Sequence, residues 1–263
     1  MKLIYLVLMV IGLQASGQVN PGPRLTALGS SGVALQDFWS VKKNQAGLSG
    51  ISKVVAAVNY EQLFVDQDIS FQSALFIFPA LKNVFALSFN RYGFIAYNEQ
   101  QVSLACSRKW GDVSVGLGFN YHQLKIQNYG SSDAVSVEIG FQYQLNERFT
   151  LGAHIANPSG SGFNNEVSAL VPVVIDFGTA WKFSDKVLLT SEIQKTLNST
   201  ISFKLGTEYT IVEWLAARGG VSSNPLRQYF GFGISHQKFR FDAATYTQYY
   251  LGFVPQVGLS YEF

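Results

Sequence analysis

Five carboxylates, Glu138, Asp176, Glu192, Glu208 and Asp242, and three cations, Lys204, Arg218 and Arg240, are the side chains best placed in this sequence to do chemistry. Each lies on the polar parity of a stretch whose alternate residues are largely apolar, so within its strand it points to the polar face. Glu61 and Lys182 share that parity, as do Asn59, Asn90, Asn120, Gln142 and Gln194. Mixed signs on an enclosed face allow two arrangements. The charges pair across an interior and hold a segment there, or they form a polar conduit whose field selects solutes. A ring of one sign, which would favour ion selectivity, is not visible. The opposite parity carries Arg91, Arg108, Lys125 and Lys195, each near a strand end. No outward charge falls at mid-strand, where Lys or Arg facing lipid would cost about 2–4 kcal/mol.

Catalytic and metal motifs are sparse. His122 and His154 have inward parity, His236 has the outward parity of Phe232 and Ile234, and their spacing fits no metal site. Ser40-Val41-Lys42-Lys43 fits S-x-x-K, but the companion motifs of a penicillin-binding enzyme are absent. There is no phosphate loop, no G-x-S-x-G elbow, no H-E-x-x-H and no paired-cysteine zinc pattern. An enzyme working at the barrel surface would need an outward serine–histidine pair, and none forms around His236. No catalytic residue, metal or cofactor is expected. A formal net charge of +2 gives no argument for nucleic acid.

The elements that must position these residues are clearest from Val113 to Tyr143. Val113, Val115, Leu117, Phe119 and Tyr121 alternate with Ser114, Gly116, Gly118, Asn120 and His122, and Val135 to Tyr143 resumes the pattern. Ten-residue segments with one apolar face and one small or polar face fit a transmembrane barrel, although a soluble sandwich also alternates. Composition favours the barrel. Of 263 residues 14% are charged, against about 25% in an ordinary soluble domain, and 21 Phe and 13 Tyr are spread in short runs. The internal runs fall short of the roughly 20 apolar residues a spanning helix needs. The lone Cys106 has outward parity and reads as a small apolar filler.

Fourteen strands are predicted at 52–64, 69–78, 83–92, 99–109, 113–126, 134–145, 149–157, 172–183, 187–196, 201–211, 215–222, 228–237, 239–248 and 254–263. An even number puts both ends of the barrel on the periplasmic side. Trp110, Trp181 and Trp214 fall at that end, and Tyr92, Phe94, Tyr97, Tyr121, Tyr129, Tyr249 and Tyr250 gather at the other, as two aromatic girdles should. The fold class is therefore all-β, a transmembrane antiparallel up-and-down barrel of about 14 strands. Lys2, the apolar run Leu3 to Leu13 and Ala15-Ser16-Gly17 predict a secretion signal over 1–17, cleaved near Gly17. Residues 18–50 lack alternation but are rich in Ala, Leu, Val, Phe and Trp, which predicts a plug buried in the lumen of a barrel spanning 51–263.

Arg24-Leu25-Thr26-Ala27-Leu28-Gly29-Ser30-Ser31-Gly32-Val33-Ala34-Leu35, followed by Asp37-Phe38-Trp39-Ser40 and Asn44-Gln45-Ala46-Gly47-Leu48, resembles the N-terminal segment of FadL-like outer-membrane proteins, and most closely their PorV/PorQ-like branch of the type IX secretion system. The resemblance implies a hatch inside a 14-stranded barrel, with Arg24, Asp37, Trp39, Asn44, Gln45 and Ala46 in it. Where the family typically reads Asn-Pro-Ala, this chain has Gln45. The resemblance further implies an outer membrane of the Gram-negative type, with lipid around the barrel and an accessory or scaffold role beside secretion proteins. The alternative it implies is a transporter for a small hydrophobic solute. In the family a kink in the third strand opens the wall, and residues 83–92 contain neither Gly nor Pro. The terminal Phe263 on an amphipathic last strand resembles the signal read by the barrel-assembly machinery.

Overall fold

The computed structural model describes residues 20–63, 69–163, 171–248 and 252–263, so the predicted signal over 1–17 lies outside the described residues, as do Tyr249 and Tyr250. Fourteen strands are arranged as an antiparallel meander: β1 Val55–Gln62, β2 Ser70–Ala80, β3 Asn83–Gly93, β4 Tyr97–Trp110, β5 Val113–Ile126, β6 Gly130–Asn146 and β7 Phe149–Ala156. It continues with β8 Val174–Lys182, β9 Val187–Thr196, β10 Ser202–Val212, β11 Leu215–Ser223, β12 Leu226–His236, β13 Phe239–Gln248 and β14 Gly252–Glu262. β1 pairs with β14, from Val55 opposite Glu262 to Glu61 opposite Gln256, and the sheet closes into a barrel. Among the described residues, no helix is long and apolar enough to cross a membrane.

Alternation produces an inverted polarity. In β5, Ser114, Gly116, Gly118 and Asn120 are buried inside, while Leu117 and Phe119 are 45% and 57% exposed. The same inversion recurs around the wall, with Phe76, Leu104, Phe177, Phe203, Phe230 and Leu259 outside. In water so continuous an apolar band would be a liability; in hydrocarbon it is the solvated face. Trp110, Trp181 and Trp214 are exposed at one end of the barrel. Tyr92 leaves the opposite girdle: it shares the parity of Ser88 and Asn90 and packs inward beside Leu63 and Phe71.

The predicted strands are recovered within a few residues. β6 begins at Gly130 rather than 134 and β4 at Tyr97 rather than 99. These extensions carry Ser131, Asp133 and Asn98 outward, so beyond the lipid band no polarity contrast marks them as strand. β1 starts at Val55, later than the predicted 52, and β8 at Val174, later than 172.

Residues 20–50 lie inside the barrel as a helix, α1 Pro23–Ala27, and two 3-10 turns, Phe38–Lys42 and Gln45–Gly50. Pro23 suits the first helical position, where its missing N–H is no loss. Asp37 and Asn44 cap the 3-10 turns by accepting from the backbone N–H of Trp39 and Ala46. Leu25, Leu28, Phe38, Trp39, Val41 and Leu48 pack against inward Val55, Leu75, Ile77, Val84 and Ala105. The segment fits because the facing wall is small. A Cβ at Gly116, Gly152, Gly206, Gly220 or Gly258 would come within 3.0 Å of Gln45, Val33, Leu28, Leu28 and Pro23 respectively, closer than real Cβ atoms approach.

Candidate functional site

The charged residues of the wall meet the inner segment in two clamps. At the first, the Arg24 guanidinium donates to Asp37 at 2.5 Å and, in bidentate fashion, to Glu208 at 2.7 and 2.9 Å. Glu208 also accepts from Arg218 at 2.5 Å, Arg218 donates to Asp242 at 2.6 Å, and Arg240 joins Asp242 at 3.0 Å and Asp37 at 3.7 Å. Burial disfavours the Arg24 charge, but Glu208 and Asp37 outweigh that and hold the guanidinium well above its ordinary pKa. Forked geometry on both sides fixes orientation as well as position.

The second clamp centres on Lys43. Its ammonium lies 2.7 Å from Glu192 and 3.1 Å from Asp176. Lys204 reaches Glu192 at 3.0 Å, and the other Glu192 oxygen accepts the backbone N–H groups of Gly32 and Val33. His154 stands between Glu138 at 3.1 Å and Asp176 at 3.2 Å. Burial would push the Lys43 ammonium down; Asp176 and Glu192 together raise it instead.

Asn44-Gln45-Ala46 seats the turn beside the second clamp, against β5 to β7. Asn44 donates to Val33 O at 2.6 Å, Phe141 O at 3.2 Å and Ala153 O at 3.3 Å, while its oxygen caps Ala46 at 3.1 Å. Gln45 is fully inside and donates to Glu138, a side-chain contact that proline could not make. Gln142 of β6 donates to Val33 O and Leu35 O, both at 3.0 Å. Trp39 is buried against Phe38.

A third cluster is differently built. Lys42 donates to Ser73 and sits 5.3 Å and 5.1 Å from the Trp39 and Phe71 ring centroids. No carboxylate comes within ion-pair distance of Lys42 among the described residues, and burial lowers it to about 7, with Glu61 opposing only in part. Glu61 is taken by Asn20 and by the Tyr246 hydroxyl at 2.8 Å. Leu63, Phe71, Tyr92, Tyr229, Tyr246 and Val254 form an apolar cluster beside it.

The eight inward charges singled out from the sequence thus meet one another or the N-terminal segment. Lys182 shares their parity but stands exposed at a strand end. Phe263 is exposed beside Tyr261, and its N–H bonds Val54 O at 3.0 Å across the β1–β14 seam. Lys42, Lys43 and Asn20 were not anticipated as contacts. Two adjacent lysines in an otherwise apolar, buried segment were the available signal, because burial obliges each to find a partner. Ser40, read as a chance S-x-x-K letter, donates to Leu35 O at 3.0 Å.

No protein-family model matches the chain, and no curated protein matches it. Solved structures share its fold. The CymD monoaromatic hydrocarbon channel is 12% identical over 95% of this chain and 99% of its own, with a TM-score of 0.69. The Pseudomonas putida toluene transporter TodX is 11% identical over 92% and 98%, with a TM-score of 0.72. A Pseudomonas aeruginosa FadL homologue is 12% identical over 90% and 96%, with a TM-score of 0.64. At these identities the likeness establishes the barrel fold.

Proposed function

We propose that the protein is an outer-membrane conduit for a small hydrophobic solute, closed by residues 18–50 acting as a plug inside the barrel of residues 51–263. Residues 1–17 serve as the signal that delivers it, and Phe263 as the mark read by the barrel-assembly machinery. The observation that carries this reading is the clamped segment within a lipid-facing wall: Arg24 and Lys43 reach from it to the wall carboxylates Glu208, Asp176 and Glu192. The shared fold with channels described as carrying toluene and monoaromatic hydrocarbons supports the same solute class.

The route implied is axial. β3 pairs without interruption with β2 and with β4, so the wall has no gap at that strand, and passage requires the segment to move. Deleting residues 24–48 should raise single-channel conductance in planar bilayers and speed entry of a small apolar dye into proteoliposomes. Unchanged conductance and uptake would refute a plug. A secretion accessory role rests on the likeness of Arg24 to Leu48 to the PorV/PorQ-like branch. Recovery of the barrel alone in a pull-down from detergent extract counts against that second reading.

A further inference from the structure

On one side of the mixed-sign lumen the carboxylates outnumber the wall's own cations. On β6 to β9 the inward ionisable groups away from the rim are Glu138, His154, Asp176 and Glu192, and Lys195 of β9 points outward. The cation facing this surface from inside the barrel is Lys43 of the N-terminal segment, joined at one edge by Lys204 of β10. Unmet hydrogen-bonding capacity here has the same character. Gln142 of β6, 1% exposed, leaves its amide oxygen without a partner among the described residues while its NH2 is engaged. Three wall carboxylates, whose ion partners on the wall among the described residues are only His154 and Lys204, and one orphaned amide oxygen make an acceptor-rich surface, complementary to a donor-rich cation.

We infer that the β6–β9 face of the lumen is a cation-recognising surface whose resident cation is Lys43, and that withdrawal of the plug opens a path selective for small cations. The selectivity belongs to the wall, since Lys43 leaves with the segment that carries it and the carboxylates remain. Ions of ammonium or potassium type are the ligands this chemistry takes. β10 to β13 carry no such carboxylate excess, because Glu208 and Asp242 meet Arg218 and Arg240 there, and Lys204 and Arg227 add two further inward cations. The inference rests on the conduit reading and adds a charge preference to it.

The test uses the full chain with Lys43→Met in planar bilayers under a KCl gradient. Conductance should rise over wild type, with a reversal potential reporting several-fold preference for K+ over Cl−. Adding Asp176→Asn and Glu192→Gln should bring the ratio towards one. A conductance with no cation preference, or a ratio unmoved by the two neutralisations, overturns the inference, as does a folded Lys43→Met barrel that stays closed. If Lys43→Met does not fold, n-butylammonium added to wild type should raise conductance saturably by competing with Lys43, and no response overturns the inference. Apolar dye uptake separates the two levels. Raised uptake without cation preference leaves the conduit standing and removes only the wall selectivity.

Discussion

Gly219 and Gly220 are neighbours in β11 that face opposite sides of the wall, so the same mutation at each asks two different questions. An alanine Cβ at Gly220 would stand 2.6 Å from Leu28 C and 2.7 Å from Gly29 Cα. At Gly219 the nearest atom is Tyr229 O at 3.9 Å, an ordinary contact. To restore a separation of about 3.5 Å, the Leu28–Gly29 peptide must recede by about 1 Å. It has little freedom to do so. Gly29 N–H bonds Thr26 O at 3.0 Å, and the Ser31 hydroxyl donates to Leu28 O at 2.5 Å. Gly206, the cross-strand partner of Gly220, abuts the same Leu28 carbonyl, so the peptide is seated on both strands. Overpacking of this kind costs about 1–3 kcal/mol, which multiplies the undocked population by about 5- to 150-fold. The strand itself should not suffer, since alanine is favoured over glycine in a strand by about 0.5–1 kcal/mol. The readouts are therefore paired: planar-bilayer conductance for the plug, and heat-modifiable gel migration for the barrel. Gly220→Ala should conduct more than wild type with no loss of barrel stability, and Gly219→Ala should match wild type in both. Equal conductance of the two variants, or a Gly220→Ala barrel that melts early, would refute the reasoning.

Two further outcomes follow from the described geometry. Lys42 is held near 7 by burial against an ordinary 10.5, so the docked segment lacks a proton that the undocked one binds between those values. Docking should therefore strengthen as pH rises from about 7 to 10.5, be weakest below 7, and lose this slope in Lys42→Met; equal slopes in conductance against pH would exclude the assignment. Brominated lipids placed at headgroup depth should quench Trp110, Trp181 and Trp214, which are exposed, and spare Trp39, which is 1% exposed inside the barrel. Single-tryptophan variants resolve the four, and quenching of Trp39 would contradict its place.

The barrel was legible because one physical constraint acts on nearly every strand residue. Lipid outside and polar surface inside write a period of two, and the strand assignment through Val113–Tyr143 needed nothing else. Legibility stopped where lipid stops: Gly130 to Asp133 are strand, yet polar on both faces. Composition pointed to burial of the segment, and residues 20–50 are mostly buried, but their partners left no such mark. Which carboxylate meets Arg24 depends on how far β10 is staggered past the segment, and stagger leaves no local trace. The inward glycines read only as a small face. Their tight fit to the backbone of Leu28, Val33 and Gln45 emerges only once a second piece of chain is laid against them.

The seam between β1 and β14 joins residues from opposite ends of the chain, Val55 beside Glu262 and Glu61 beside Gln256. Contacts of such long sequence separation are the slowest to form, so the cylinder is sealed late in folding. Asn20 to Gly50 immediately precede the strand that does the sealing. They are thus enclosed as the cylinder shuts, and need not be threaded through a finished opening. Errors of encapsulation would then arise during biogenesis, and a chain that zipped up with this cargo left outside would face a wall lacking its counter-ions.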